Sequence, residues 1–129
     1  MQIEPLVSRA VLTVKNSDTL REAAESMMER GVGSAVVVTD GKPTGIVTDR
    51  DSLRVIARGE DPNMLTVGEC VKRTLRTVTG SLDIVEAAAI MRESGFRQLV
   101  VVDDDGNLAG VFSMRDLVVG LLQERTVDA

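Results

Sequence analysis

Two short segments carry the side chains best placed to do chemistry. One reads Gly45-Ile46-Val47-Thr48-Asp49-Arg50-Asp51 and the other Gly110-Val111-Phe112-Ser113-Met114-Arg115-Asp116. In each, an apolar run ends in a hydroxyl residue (Thr48, Ser113), and a carboxylate (Asp51, Asp116) follows three positions later. Two roles fit that spacing. In the first, the hydroxyl caps a helix, the acid returns a hydrogen bond from the N3 position, and its charge faces the positive end of the helix dipole. In the second, the same atoms hold a ligand: a helix N-terminus with a hydroxyl favours phosphate, and a short carboxylate accepts the two hydrogen bonds of a ribose diol. Asp reaches back less far than the Glu or Gln usual in a capping box, and its use in both segments favours a ligand. Arg50 and Arg115 lie beside these acids, as surface ion-pair formers or as phosphate contacts.

Other chemistries are excluded by composition. The chain has no His, which removes the commonest general base, His-based triads and the commonest metal ligand. A single cysteine, Cys70, permits no intrachain disulfide and no Cys-rich zinc site, and reads as a buried thiol. With no Trp or Tyr, and only Phe96 and Phe112, aromatic platforms for stacking single-stranded nucleic acid are almost absent. Twenty acidic against 15 basic residues give a net charge of −5, opposed to nucleic-acid binding. Asp103-Asp104-Asp105 reads as a solvated turn rather than a divalent-cation site, because no spaced set of further oxygen ligands accompanies it. Met27 and Met91 read as core. No run approaches the ~20 apolar residues of a membrane span, and Met1-Gln2-Ile3-Glu4-Pro5 shows no secretory pattern, so a cytoplasmic location is expected. At 129 residues, 43% apolar and 27% charged, the chain suits one domain or two small ones sharing a core. The balance favours a binding or regulatory module over an enzyme.

The elements that must position the two motifs are themselves duplicated. Thr13-Val14, Ser17, Glu22-Ala23-Ala24, Met27, Glu29, Gly31 and Val36-Val37-Val38 recur in order as Thr77-Val78, Ser81, Glu86-Ala87-Ala88, Met91, Glu93, Gly95 and Val100-Val101-Val102. One extra residue enters the second copy within Asp103-Asp105, after which Gly41, Gly45, Arg50 and Asp51 match Gly106, Gly110, Arg115 and Asp116. Each copy reads β-α-β-β-α. The first strands are expected over Val11 to Lys15 and Leu75 to Thr79. The helices that follow open on Thr19-Leu20-Arg21-Glu22 and Asp83-Ile84-Val85-Glu86, both with capping-box spacing. Leu20, Ala23, Ala24 and Met27 form one buried stripe, and Ile84, Ala87, Ala88 and Met91 repeat it. Gly31 and Gly95 fall where a left-handed residue ends a helix. Ala35 to Val38 and Leu99 to Val102 read as strands buried on both faces, and third strands run over Thr44 to Val47 and Leu108 to Phe112. Closing helices begin near Asp49 and Met114. The polar stretch Arg58 to Asn63 reads as a linker, giving repeats 1–62 and 63–129. Each is small for independent folding, so the halves are expected to pack through their sheets.

The ordered set, present twice, resembles the CBS domain, and two in tandem resemble a CBS pair or Bateman module. The likeness runs from about Val7 to Gln123. Its strongest pieces are Glu86-Ala87-Ala88-Ala89-Ile90-Met91, Gly95-Phe96-Arg97-Gln98-Leu99-Val100-Val101-Val102-Asp103 and both terminal motifs. The resemblance implies an α/β (α+β) fold of two pseudo-symmetric repeats packed through their sheets, with ligand clefts between repeats. It implies a stand-alone, non-catalytic sensor of AMP, ADP, ATP or S-adenosylmethionine that signals to an effector protein in trans. Asp51 and Asp116 would hold ribose hydroxyls, and Thr48 and Ser113 ribose or phosphate. The Asp116 site would add Leu12, Val32 and Gly33, and the Asp51 site Arg76 and Phe96. Arg97 would bind phosphate. The first copy has Gly33 at that position, so the Asp116 site is expected to bind phosphate more tightly. Apolar closing helices (Leu53, Val55, Ile56; Leu117, Val118, Leu121, Leu122) imply a homodimer. A ligand-free dimerisation module is the alternative.

Overall fold

The computed structural model describes residues 1–71 and 75–128. The chain runs η1 (Glu4–Leu6), β1 (Thr13–Val14), α1 (Leu20–Arg30), β2 (Ser34–Thr39), β3 (Lys42–Thr48), α2 (Asp49–Ala57), α3 (Val67–Cys70), β4 (Thr77–Thr79), α4 (Ile84–Ser94), β5 (Gln98–Val102), β6 (Leu108–Ser113) and α5 (Met114–Asp128). Among the described residues there are two three-stranded sheets, ordered β1-β2-β3 and β4-β5-β6. In each the first pair is parallel and the second is an antiparallel hairpin. The registers repeat: Val36 pairs with Ile46 and Val100 with Val111. Among the described residues no helix is long and apolar enough to cross a membrane.

Two compact units result. One is Val11–Leu75; the other joins Met1–Ala10 to the chain from Arg76 onward. The 1–62 and 63–129 repeats of the sequence are thus a different partition from the compact units, and the hydrogen bonds show why. The Ile3 N–H donates to the Leu82 carbonyl and the Glu4 N–H to the Gly80 carbonyl, both at 3.0 Å. In the other unit the Val67 N–H donates to the Asp18 carbonyl (2.8 Å) and the Gly68 N–H to the Asn16 carbonyl (3.1 Å). Ile3 and Val67 are equivalent residues of the two copies, and both are fully buried. The segment that opens each copy therefore packs on the other copy's α-β framework.

Each unit has its own core. In one, Val14, Leu20, Ala23, Met27, Ala35, Val37, Val47, Val55 and Val67 cluster, with Leu12, Leu65, Cys70 and Val71 against them. In the other, Ile3, Ile84, Ala87, Met91, Leu99, Val101, Phe112 and Leu117 cluster. Val36 and Val100 are also buried but belong to neither cluster, as side chains on the opposite strand face must. The helical stripes and the doubly buried strands read from the sequence are both present.

Helix α1 starts at a full capping box: the Glu22 N–H donates to Thr19 Oγ1, and the Thr19 N–H donates to Glu22 Oε1, each at 3.0 Å. Helix α4 differs. Asp83 Oδ2 accepts from the Val85 N–H at 3.0 Å as a plain N-cap, without the reciprocal carboxylate bond that Glu22 makes to Thr19. Both α1 and α4 end at left-handed glycines, Gly31 (φ 65°) and Gly95 (φ 70°). Backbone N–H donors, from Thr19 and Val85 respectively, hold the Glu22 and Asp83 carboxyls below their ordinary pKa. A depressed folded-state pKa gives stability that is present at neutral pH and lost as pH falls through the carboxylate range. Thr19→Ala should cost about 0.5–2 kcal/mol, and the part of that penalty that comes from the Thr19 side chain's bond to the Glu22 carboxylate, read from urea melts, should be lost as pH falls through the carboxylate range.

Candidate functional site

The two hydroxyl–carboxylate motifs lie where strand β3 runs directly into α2 and β6 into α5. At the second motif Asp116 Oδ2 accepts from the Ser113 N–H (2.8 Å) and from Ser113 Oγ (2.9 Å), and the Asp116 N–H donates back to Ser113 Oγ (3.2 Å). At the first, Asp51 Oδ2 accepts from the Thr48 N–H (2.8 Å) and from Thr48 Oγ1 (3.3 Å) within a capping box. The capping role is therefore filled in both copies. It uses one carboxylate oxygen, Oδ2, and leaves the other, Oδ1, outside the cap. All four residues are half-buried.

The glycine that opens each motif is there for a close approach. A Cβ on Gly45 would lie 2.8 Å from Val71 Cγ1, and one on Gly110 would collide with the Ser8 carbonyl oxygen and Val7 Cγ1. Val7 and Val71 are equivalent residues of the two exchanged segments. Ser8 completes an antiparallel bridge to Val111, with both N–H···O bonds at 2.9 Å.

Beside each motif sits the turn before the central strand. The Asp49 N–H donates to the Gly33 carbonyl (3.1 Å), and the Met114 N–H to the Arg97 carbonyl (2.8 Å). Arg97 is thus a neighbour of Ser113, within one unit and exposed. Gly33 is the neighbour of Thr48, with the Asp49 carboxylate 3.5 Å from where its Cβ would be. The second motif pairs a cation, Arg97, with apolar Met114; the first pairs Gly33 with an acid, Asp49. Leu12, Val32, Gly33, Thr48 and Asp51 fall in one unit, and Arg76, Phe96, Arg97, Ser113 and Asp116 in the other. The Leu12 carbonyl accepts from the Val36 N–H at 2.9 Å, which places it beside the doubly buried strand.

Sequence reasoning missed Arg54. Its Nη1 donates to Asp51 Oδ1 at 2.8 Å, occupying the oxygen the cap leaves over. The i, i+3 spacing on α2 was the available signal. Asp51, Arg54 and Val55 of this helix and Arg58 at its C-cap line a cavity of about 270 Å³ together with Ile46, Leu65, Cys70 and Val71; Glu60 and Glu69 also reach it. Cys70 is half-buried at the end of the short helix α3, which the sequence reading had not separated from the run into β4. Among the described residues no cluster of His, Cys, Asp or Glu is arranged to hold a metal ion.

Comparison with known proteins agrees with this architecture. The CBS domain model matches residues 3–58 and 67–122, so each match begins at a buried residue of an exchanged segment, Ile3 or Val67. An uncharacterized protein of Methanopyrus kandleri, MK0525, is 32% identical over 120 residues. That alignment covers 92% of this chain, and the chain spans only 61% of that relative's length. The CBS domain protein PAE2072 of Pyrobaculum aerophilum, solved in complex with AMP, is 27% identical with a TM-score of 0.84, covering 95% of this chain and 99% of that one. CBSX2, also solved with AMP, is 26% identical with a TM-score of 0.80, covering 96% and 98%. Two matched copies, a shared duplicated α+β architecture and the paired motifs lead to one conclusion: this chain belongs to the CBS-domain family and carries the domain twice.

Proposed function

We propose that the chain is a non-catalytic regulatory module that binds adenosine-containing ligands at its Asp51 and Asp116 motifs and signals their presence to a partner protein in trans. The observation that carries this reading is the carboxylate at the start of α5: Asp116 keeps its cap with one oxygen and has the other, Oδ1, outside that cap. A ribose diol needs such an acceptor. Asp51 and Asp116 take ribose hydroxyls, Thr48 and Ser113 take ribose or phosphate, and Arg97 takes phosphate. Leu12, Val32, Gly33, Arg76 and Phe96 supply the remaining contacts. AMP in two relatives of the same fold supports an adenine nucleotide, with ADP, ATP and S-adenosylmethionine as the other members of the class. The ligand moves the partner's equilibrium only as far as it prefers one state of the module. Calorimetric titration with AMP, ATP and S-adenosylmethionine tests the reading; saturable heat supports it, and no heat with any of them on folded protein refutes it.

The second reading, a ligand-free dimerisation module, is favoured by the completeness of the caps and by exposed apolar helix residues. Leu53 and Ile56 on α2 are 66% and 65% exposed, and Val118, Leu121 and Leu122 on α5 are also exposed, while Leu117 is buried. A homodimer through these helices belongs to both readings. Leu53→Glu with Leu121→Glu should then shift the sedimentation coefficient to the monomer value without lowering the monomer's melting temperature by more than a degree or two, since exposed sites change stability by about 0.5 kcal/mol or less.

A further inference from the structure

Asp51 differs from its counterpart Asp116 in one charge contact. Asp51 has both carboxylate oxygens engaged, Oδ2 by Thr48 and Oδ1 by Arg54 at 2.8 Å. In the second copy, Val119 stands where Arg54 does and Gln123 where Arg58 does. Asp116 therefore has no guanidinium one helical turn ahead of it. The Asp51–Arg54 pair is not a loose surface contact: Asp51 is 14% exposed and Arg54 36%. Arg54 on α2 and Arg58, the residue that caps its C-terminus, lie four residues apart and both line the cavity of about 270 Å³. The acids that also reach it are Glu69, whose carboxylate accepts from the Thr66 N–H, and the exposed Glu60.

A ligand diol that takes Asp51 Oδ1 competes for it with Arg54, which already holds that oxygen at 2.8 Å. An uncharged nucleoside gives Arg54 no replacement anion, so it weakens a charge-assisted hydrogen bond without compensation. A phosphate supplies the replacement: the guanidinium passes from carboxylate to phosphate, and the freed oxygen takes the diol. On this basis we infer that Arg54 makes the Asp51 cavity selective for phosphorylated nucleosides over unphosphorylated, uncharged ones. The inference rests on the nucleotide-binding reading above. It also revises the expected inequality of the two motifs: the first lacks the cation at Gly33 but has one of its own, supplied by α2.

The test uses the full chain with Asp116→Ala, so that only the Asp51 site remains, titrated calorimetrically with AMP and adenosine. AMP should bind at least about tenfold more tightly than adenosine, the scale of one charge-assisted phosphate contact. Adding Arg54→Val, the residue of the second copy, should bring AMP and adenosine to within about threefold, partly because adenosine binds better; Arg54→Lys should restore most of the preference. An AMP-to-adenosine ratio unchanged by Arg54→Val overturns the inference. Loss of all AMP binding in Asp116→Ala, while the unsubstituted chain still binds AMP, overturns it too and leaves the Asp116 site standing. Absence of AMP binding in the unsubstituted chain overturns the nucleotide reading and this one with it.

Discussion

Asp116→Asn is expected to remove nucleotide binding at the second motif while leaving the chain folded. The amide oxygen of Asn can still accept from the Ser113 N–H, now 2.8 Å from Asp116 Oδ2, so the cap on α5 survives. The charge is lost, and the position facing the ligand becomes an amide N–H₂, a donor where the diol needs an acceptor. Charge-assisted hydrogen bonds contribute about 1.5–3 kcal/mol each, so losing two should weaken binding by a hundredfold or more. Asp116→Ala should remove binding as well and, in addition, cost about 0.5–2 kcal/mol of stability through the lost cap. The two substitutions separate the roles that the spacing left open. Calorimetry paired with thermal melts reads both: equal loss of binding with unequal loss of stability is the expected pattern. Unchanged binding stoichiometry and affinity in Asp116→Asn would leave Asp116 a helix cap alone.

Ile3→Ala should be among the most damaging substitutions outside the motifs. Ile3 has no exposed surface, sits in the core with Ile84, Ala87, Met91 and Phe112, and is held by the Ile3 N–H···O=C Leu82 bond. Truncating a buried Ile to Ala costs about 2–5 kcal/mol, against a total of about 5–15 kcal/mol for a protein of this kind. The melting temperature should fall by about 10 °C or more. Val67→Ala, at the equivalent place in the other unit, should cost less because fewer methyl groups are removed. A change of under 1 kcal/mol for Ile3→Ala in urea unfolding would mean that the opening segment is not part of the core.

What the sequence could show followed from periodicity and local chemistry. The stripe of Leu20, Ala23 and Met27, the αL glycines Gly31 and Gly95, and the doubly buried runs at Val36 and Val100 are all short-range patterns with one physical interpretation. The Gly-to-Asp motifs were visible as well, and their spacing was right for both a cap and a ligand; the structure shows the cap made, at the expense of one oxygen of each acid. What stayed hidden depends on contacts between distant residues. Nothing in Ile3-Glu4-Pro5-Leu6 says it packs against Leu82 rather than its own copy, since an apolar residue buries equally well in either. Arg54 was readable only with the helix register fixed, because its partner Asp51 already had a local explanation. Helix α3, four residues long, is too short for any periodic signal.

The exchanged opening segments bear on how such a chain arises. A single ancestral copy, with its first residues reaching a neighbour's framework, would complete its core only in a swapped homodimer, and so would fold in proportion to its own concentration. Fusing two such copies through Arg58–Asn63 makes that exchange intramolecular, at the high effective concentration a short tether imposes. Assembly of the core then no longer depends on expression level, and the copies are released from being identical. Each can take on its own cation, Arg54 in one and Arg97 in the other, without losing the partner it folds with.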